Sequence, residues 1–118
     1  MPARLRGEPV DLLQAQRHGL PTVNDGDRAW RAVSGLAVNA NALFASELGN
    51  RLAERSGSFG LVWELAAGGD VKVSLRAAGK VDVAAISTGY GGGGHPNAAG
   101  FRIALTRFAS EILGTMTL

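Results

Sequence analysis

Apolar and polar residues alternate in three stretches of the chain, and this pattern predicts three β-strands. The stretches are residues 59–65, 71–76 and 101–105. A period of two places alternate side chains on opposite faces of a strand. Between the first two stretches, Ala67-Gly68-Gly69-Asp70 has the composition of a hairpin turn. The second stretch differs from the others because its polar positions form one strip of hydrogen-bond donors: Lys72, Ser74 and Arg76.

A different spacing predicts a helix over residues 42–55. Apolar side chains recur there at every fourth position, as expected for the buried side of a helix. We expect three of them to face inward: Phe44, Leu48 and Leu52. Asn39 or Asn41 is suited to cap the N-terminus of this helix.

The remaining elements are shorter. Residues 32–40 are apolar enough for a buried strand, and residues 10–18 are interpreted as a short amphipathic helix. Asp82 is a good N-cap for a helix over residues 83–88, and a last helix is predicted over residues 108–113. Strands that alternate with helices in this way predict an α/β fold, with a mixed β-sheet and helices packed on it.

The predicted elements divide the chain into two parts. Residues 1–32 are expected to form an N-terminal arm or linker, and residues 33–118 are expected to form the domain. Within the arm, His18 has no second histidine or carboxylate at metal-ligand spacing, and we interpret it as a surface residue. Trp30 is expected to anchor the arm against the core.

Composition narrows the class of protein. The 118 residues suffice for one domain, and 46% of them are hydrophobic. The chain has no cysteine, which excludes disulfides and thiolate metal sites and fits a cytoplasmic location. No apolar run approaches the roughly 18–20 residues of a membrane span, and the N-terminus lacks the apolar region of a secretory signal.

Charge is unevenly distributed. The formal net charge is only +2, but residues 71–110 contain five basic residues and one acidic residue. Arginine, which binds phosphate and carboxylate through two parallel hydrogen bonds, supplies most of the basic residues of the chain. This local excess indicates an anionic ligand, although an ordinary solvated basic face would give the same pattern.

The basic segment contains the most unusual stretch of the sequence, Gly-Gly-Gly-Gly-His-Pro-Asn-Ala-Ala-Gly over residues 91–100. Four consecutive glycines are costly inside a helix or strand, because each loses the most backbone freedom on folding. Glycines suit a backbone that must approach a ligand closely, and their N–H groups can converge on an oxyanion. The stretch is neither a nucleotide-binding P-loop nor a dinucleotide fingerprint, because it lacks a following Gly-Lys-Ser/Thr and precedes a strand.

We therefore predict an anion site in which the glycine backbone is assisted by side chains. His95 adds a donor that can carry charge, and Arg76 adds a planar fork suited to phosphate. Asn97 is expected either to hold the loop closed or to touch a ligand. Tyr90 is open to two interpretations, stacking on a base or simple packing. The predicted substrate-binding residues are Ser74, Arg76, Gly91, Gly92, Gly93, Gly94, His95 and Asn97.

These motifs resemble the DHHA1 domain, the C-terminal substrate-binding half of DHH-family phosphoesterases. The resemblance is carried by Ser74-Leu75-Arg76, by Val81-Asp82-Val83-Ala84 and by the glycine motif of residues 91–100. It extends from about residue 33 to residue 105. Within the family, the sequence is most similar to the oligoribonuclease and pAp-phosphatase-like branch. The alanyl-tRNA synthetase branch has a different tail to its glycine motif.

The resemblance implies a division of labour between two domains. In the family, a DHH domain holds two Mn²⁺ or Mg²⁺ ions, and the DHHA1 domain grips the substrate. The implied ligand is a short oligonucleotide, a nucleotide or a cyclic dinucleotide. The chain has no Asp-His-His motif and only two histidines, so we expect no metal or other cofactor in it and no activity without a DHH domain in cis or trans.

Several alternatives stay open at this point. The chain can be a fragment of a longer enzyme, a stand-alone binding module, or a module that works with a separate catalytic partner. A hydrolase using His95 as its acid–base group is a further hypothesis, although no partner carboxylate is evident. The glycine motif can instead serve a structural or oligomerisation module, with self-association of the chain. A general platform for single-stranded nucleic acid is disfavoured, because the predicted strands place their aromatic residues on apolar faces.

Overall fold

The computed structural model describes residues 7–15 and 30–115, which form one six-stranded sheet with helices on both faces. The strands are β1 (Glu8–Ala15), β2 (Trp30–Asn39), β3 (Phe59–Leu65), β4 (Asp70–Ala77), β5 (Gly93–His95) and β6 (Ala98–Ala104). The helices are α1 (Ala45–Ser56), which follows a 3₁₀ turn at Ala42–Phe44, and α2 (Val83–Gly89). A C-terminal helical segment changes from α-helix (Leu105–Arg107) to π-helix (Phe108–Ile112) to 3₁₀-helix (Leu113–Thr115).

The sheet is mixed, as the sequence predicts. Its spatial order is β1-β2-β3-β4-β6-β5. The β2 and β3 strands are parallel, and every other neighbouring pair is antiparallel. The parallel pair requires a crossover, which α1 provides between β2 and β3.

The predicted helix over residues 10–18 is wrong in its described part, because Glu8–Ala15 is an edge strand paired with β2. Val10 and Leu12 are both 1% exposed, whereas Leu13 is 48% exposed. The buried positions thus follow a period of two, which a stretch this short does not distinguish clearly from a helical spacing. Pro9 is tolerated because an edge strand leaves one side of its backbone unpaired. The division into an arm of residues 1–32 and a domain of residues 33–118 stays a prediction, and His18 and the side chain of Trp30 lie outside the described part.

The core fills one face of the sheet. Apolar side chains of β1, β3, β4 and β6 meet α2 and the C-terminal helical segment there. The ring of Trp63 on β3 packs against Phe108, with centroids 4.8 Å apart. Val83 and Ile86 of α2 are fully buried, as expected from the sequence. Asp82 caps this helix by accepting a hydrogen bond from the N–H of Ala85 at 3.0 Å.

Helix α1 covers part of the opposite face, and small residues let it approach closely. Its buried residues are Ala45, Gly49, Leu52 and Ala53. A side chain on Gly60 of β3 would collide with the backbone oxygen of Gly49. The prediction for Leu52 is confirmed, but Leu48 is only partly buried and Phe44 is 53% exposed. The spacing alone misplaced Phe44 because it lies in the 3₁₀ turn, where the rotation per residue differs from that of an α-helix.

Candidate functional site

The polar strip of β4 lies on the sheet face that α1 only partly covers. Lys72 is exposed, whereas Ser74 and Arg76 are half-buried. Helix α1 packs mainly on β2, β3 and β4. The strands β6 and β5 extend beyond it, so the sheet continues past the strip as an open surface.

The strand register brings Arg76 and His95 into one row across this surface. Arg76 lies opposite Ala98 of β6, and Ala98 lies opposite His95 of β5. Residues directly opposite each other in antiparallel strands project from the same face. Two strand spacings, about 10 Å in all, therefore separate the two backbones, with only the small side chain of Ala98 between them.

A second row next to it consists of small residues. Ser74 lies opposite Gly100 of β6, and Gly100 lies opposite Gly93 of β5. Neither glycine carries a side chain that would stand above the sheet. Arg76, His95 and Ser74 thus surround a floor of bare backbone that is accessible from the solvent side.

Arg76 is held in place by α1. Its Nη2 donates to Ser46 Oγ at 3.1 Å, and its Nη1 donates to the carbonyl of Leu75 at 2.9 Å. A side chain on Gly49 would come within 2.7 Å of Cγ of Arg76, so the glycine makes room for the arginine stem. Two of the five guanidinium N–H donors are thereby engaged, and these contacts orient the group.

His95 ends the edge strand and precedes a two-residue turn, Pro96-Asn97. The turn is fastened to the domain by backbone hydrogen bonds. The carbonyl of Pro96 accepts from the N–H of Val83 at 2.9 Å, and that of Asn97 accepts from the N–H of Ala77 at 3.1 Å. Asn97 therefore holds the turn through its backbone. The imidazole of His95 is exposed and has no hydrogen bond within the described residues.

Two of the four glycines in the run have their N–H groups engaged inside the fold, so the convergence of all four on a ligand stays a prediction. The N–H of Gly91 donates to the carbonyl of Thr88 at 3.1 Å, and that of Gly92 donates to Ser87 at 2.8 Å. Both groups end helix α2 and are thus engaged inside the fold. Gly93 and Gly94 belong to β5, on the edge of the sheet.

The glycines of this motif serve different purposes. Gly91 and Gly94 have φ values of +93° and +138°, which side chains disfavour. A side chain on Gly92 would collide with Gly100 and Phe101. Gly93 has neither restriction, because its φ is ordinary and a Cβ would meet no atom within 4 Å. Neither the backbone conformation nor the packing of the described domain therefore requires a glycine at Gly93.

A cleft of about 480 Å³ adjoins this floor. Its lining includes Ser74 and Gly100 from the floor and three charged residues: Glu64, Lys72 and Arg102. These three form a further row across β3, β4 and β6. The sequence showed Lys72 and Arg102 as nearby basic residues, but their placement beside Glu64 depends on the register of three strands.

Of the two interpretations of Tyr90, stacking on a base or packing in the core, the structure shows packing. Its side chain is 8% exposed and stacks on Phe101 with ring centroids 4.8 Å apart. Its hydroxyl accepts a hydrogen bond from the N–H of Leu13 at 3.1 Å. Burial raises the pKa of Tyr90 above its ordinary value of 10.0.

On the same side of the sheet, the hydrogen bond from Arg107 lowers the pKa of Glu111.

The acidic residues and the exposed histidine do not assemble a metal centre. Within residues 7–15 and 30–115, no three His, Cys, Asp or Glu side chains are grouped as metal ligands. A pair of divalent ions needs a cluster of carboxylate and imidazole ligands, so the described residues do not fit such a pair. The helices of the described part are also too short or too polar for any of them to cross a membrane.

Comparisons with known proteins bear on this arrangement. No match was found among curated proteins. Among solved structures, the chain is similar to a pGpG-specific phosphodiesterase, PggH, from Vibrio cholerae, with 15% identity and a TM-score of 0.42. The similarity covers 45% of this chain and only 20% of that one. A family model, the DHHA1 domain, matches residues 32–116. Since this match spans well over half of the 118 residues, the chain belongs to the DHHA1 domain family.

Proposed function

We propose that this domain binds the phosphate of a nucleotide, a short oligonucleotide or a cyclic dinucleotide between Arg76 and His95. In this proposal the domain presents the phosphoester to a DHH catalytic domain, in cis or in trans, which carries the two metal ions. The enzyme is proposed to be a phosphoesterase of the oligoribonuclease or pAp-phosphatase-like branch. Hydrolysis itself is assigned to the other domain.

The observation that carries the proposal is the row Arg76–Ala98–His95 on the open part of the sheet. A planar guanidinium and an imidazole flank a residue with a small side chain. No acidic residue occupies this row, which continues on β3 with Gly60. The charged groups of this row therefore favour an anion, and the gap of about two strand spacings leaves room for one.

The chemistry of the surrounding groups is consistent with phosphate. Arg76 retains three N–H donors after its contacts with Ser46 and Leu75, and hydrogen bonds between charged partners are the strong ones. The hydroxyl of Ser74 adds a neutral donor next to the same floor. Gly93 allows a ligand to approach the backbone of β5 without a side chain in the way.

Substitution of Arg76 tests this proposal. For a 5′-phosphorylated dinucleotide, we expect Arg76→Ala to raise the Kd about 10- to 100-fold, because a hydrogen bond to a charged group contributes about 1.5–3 kcal/mol. The Kd of Arg76→Lys should lie between those of Arg76→Ala and the native chain, because lysine keeps the positive charge but lacks the planar guanidinium. His95→Ala should weaken binding by a smaller factor. Isothermal titration calorimetry of the full chain measures the Kd of all three variants.

Arg107→Ala is the matched control. It removes the same charge, but from the C-terminal helical segment on the core face of the sheet. Its Kd should stay within about twofold of the native value, because exposed charges at a distance are screened by salt. Equal affinity of the native chain, Arg76→Ala and His95→Ala would contradict the proposal and favour a structural or oligomerisation role for the motif.

A further inference from the structure

We propose that Ser46 of helix α1 is a positioning residue for the phosphate site, and that it acts by holding the guanidinium of Arg76 in the orientation that receives the ligand. This inference rests on the proposed function and adds to it a residue from outside the sheet. Ser46 and Arg76 are 30 residues apart in the chain. Neither the glycine motif nor the polar strip of β4 therefore points to this serine.

One side of α1 is shaped to receive the arginine. Ser46 and Gly49 are three residues apart, so they lie on the same side of the helix. At Gly49, the missing side chain leaves room for the stem of Arg76, because a Cβ there would lie 2.7 Å from Cγ and 3.3 Å from Cβ of the arginine. At Ser46, the Oγ accepts a hydrogen bond from Nη2 at 3.1 Å. The helix thus makes room for the stem and holds its charged end.

The hydrogen bonds of Arg76 divide its donors between protein and ligand. Nη2 donates to Ser46, and Nη1 donates to the carbonyl of Leu75 at 2.9 Å. Leu75 precedes Arg76 on the same strand, so the bond to Ser46 is the one that ties the guanidinium to α1. The guanidinium is planar and rigid, so two anchored nitrogens determine the direction of its remaining N–H donors.

The expected benefit for binding is entropic. A long side chain that is ordered only when the ligand binds lowers the affinity, because its rotamer freedom is lost in that step. When Ser46 already orders the guanidinium in the folded domain, the ligand does not have to do so. The helix itself does not explain the serine, because Ser46 is exposed and alanine has the higher helix propensity.

Ser46→Ala tests this role, with a 5′-phosphorylated dinucleotide as the probe. We expect the Kd to rise about three- to tenfold, and Ser46→Thr, which keeps the hydroxyl, should restore most of the affinity. In an Arg76→Ala background, Ser46→Ala should leave the Kd unchanged, because no guanidinium is left to position. NMR titration of the full chain measures all of these Kd values, including those of weak complexes.

The matched control is Ser110→Ala, which removes a hydroxyl from an exposed position of the C-terminal helical segment. Its Kd should equal that of the native chain. Urea unfolding of Ser46→Ala should show nearly native stability, as is usual for a substitution at an exposed position. A weaker complex in this variant then reflects the site and not a loss of the fold.

The possible outcomes separate this inference from the proposed function. If Arg76→Ala weakens binding but Ser46→Ala keeps or lowers the native Kd, Ser46 has no positioning role and the phosphate site stands. If Ser46→Ala weakens binding by the same factor with and without Arg76, the serine acts independently of the guanidinium and the positioning role is overturned. If Arg76→Ala leaves the Kd unchanged, the phosphate site fails and the positioning role fails with it.

Discussion

Gly60 and Gly93 lie on the same face of the sheet but lack side chains for different physical reasons. Gly60 is required by packing, because a Cβ would collide with helix α1 at Gly49, Leu52 and Ala53. Gly93 has open space around the position of a Cβ and an ordinary φ. The difference separates a glycine that the fold requires from a glycine that the proposed ligand requires.

Alanine substitutions at these two positions should therefore have opposite effects. Gly60→Ala should lower the free energy of unfolding by about 1–3 kcal/mol, because the extra methyl overpacks the contact with α1. Gly93→Ala should leave the stability unchanged or raise it by up to about 1 kcal/mol, while it weakens binding of a phosphorylated dinucleotide. Urea unfolding and titration of both variants provide the comparison. A large loss of stability in Gly93→Ala with unchanged binding would refute this division of roles.

At the scale of elements, the covalently distant β1 and α2 are joined through Tyr90. This residue directly follows α2, and its hydroxyl bonds the backbone of β1. This hydrogen bond could not be predicted from the sequence, because it depends on β1 taking the edge position next to β2. The ring of Tyr90 lies on the core face of the sheet, so the residue holds an edge strand in place and does not stack on a ligand.

The ionisation of Tyr90 provides a test of this contact. Burial favours the neutral phenol, so the pKa in the folded chain lies above 10.0 and that in the unfolded chain lies close to it. Stability should thus be fully present below about pH 10 and fall as the pH rises towards the folded pKa. Tyr90 is the only tyrosine, so phenolate absorbance reports it directly. Equal pKa values in buffer and in concentrated urea would disprove the burial of this side chain.

Elements with a long or regular pattern could be predicted from the sequence, and the others could not. The alternation in β3 and β4 and the cap at Asp82 all correspond to local chemistry and were predicted correctly. The strand β1 was missed because eight residues with Pro9 at the second position carry too little periodic signal. The strand β5 was missed because glycine has low strand propensity, and only pairing with β6 stabilises it.

At the scale of the whole molecule, the domain is asymmetric in a way that suits a binding role. One face of the sheet is filled by the core. On the other face, α1 packs mainly on β2, β3 and β4, which leaves β6 and β5 as an open half. Arg76 lies at the boundary between the covered and open halves. The glycine motif could be recognised in the sequence. The division of its residues between this open surface and the end of α2 could not be predicted, because it depends on the register of β5 with β6.

In the proposed function, phosphate binds on the open face of the sheet between Arg76 and His95. The most direct measurement is NMR mapping of backbone amides in the full chain during titration with a 5′-phosphorylated dinucleotide. We predict chemical-shift changes concentrated at residues 74–76 and 93–95, with little change at Gly91 and Gly92, whose N–H groups are engaged in the fold. Shifts confined to the core-face side around Tyr90, or no shifts at saturating ligand, would contradict it.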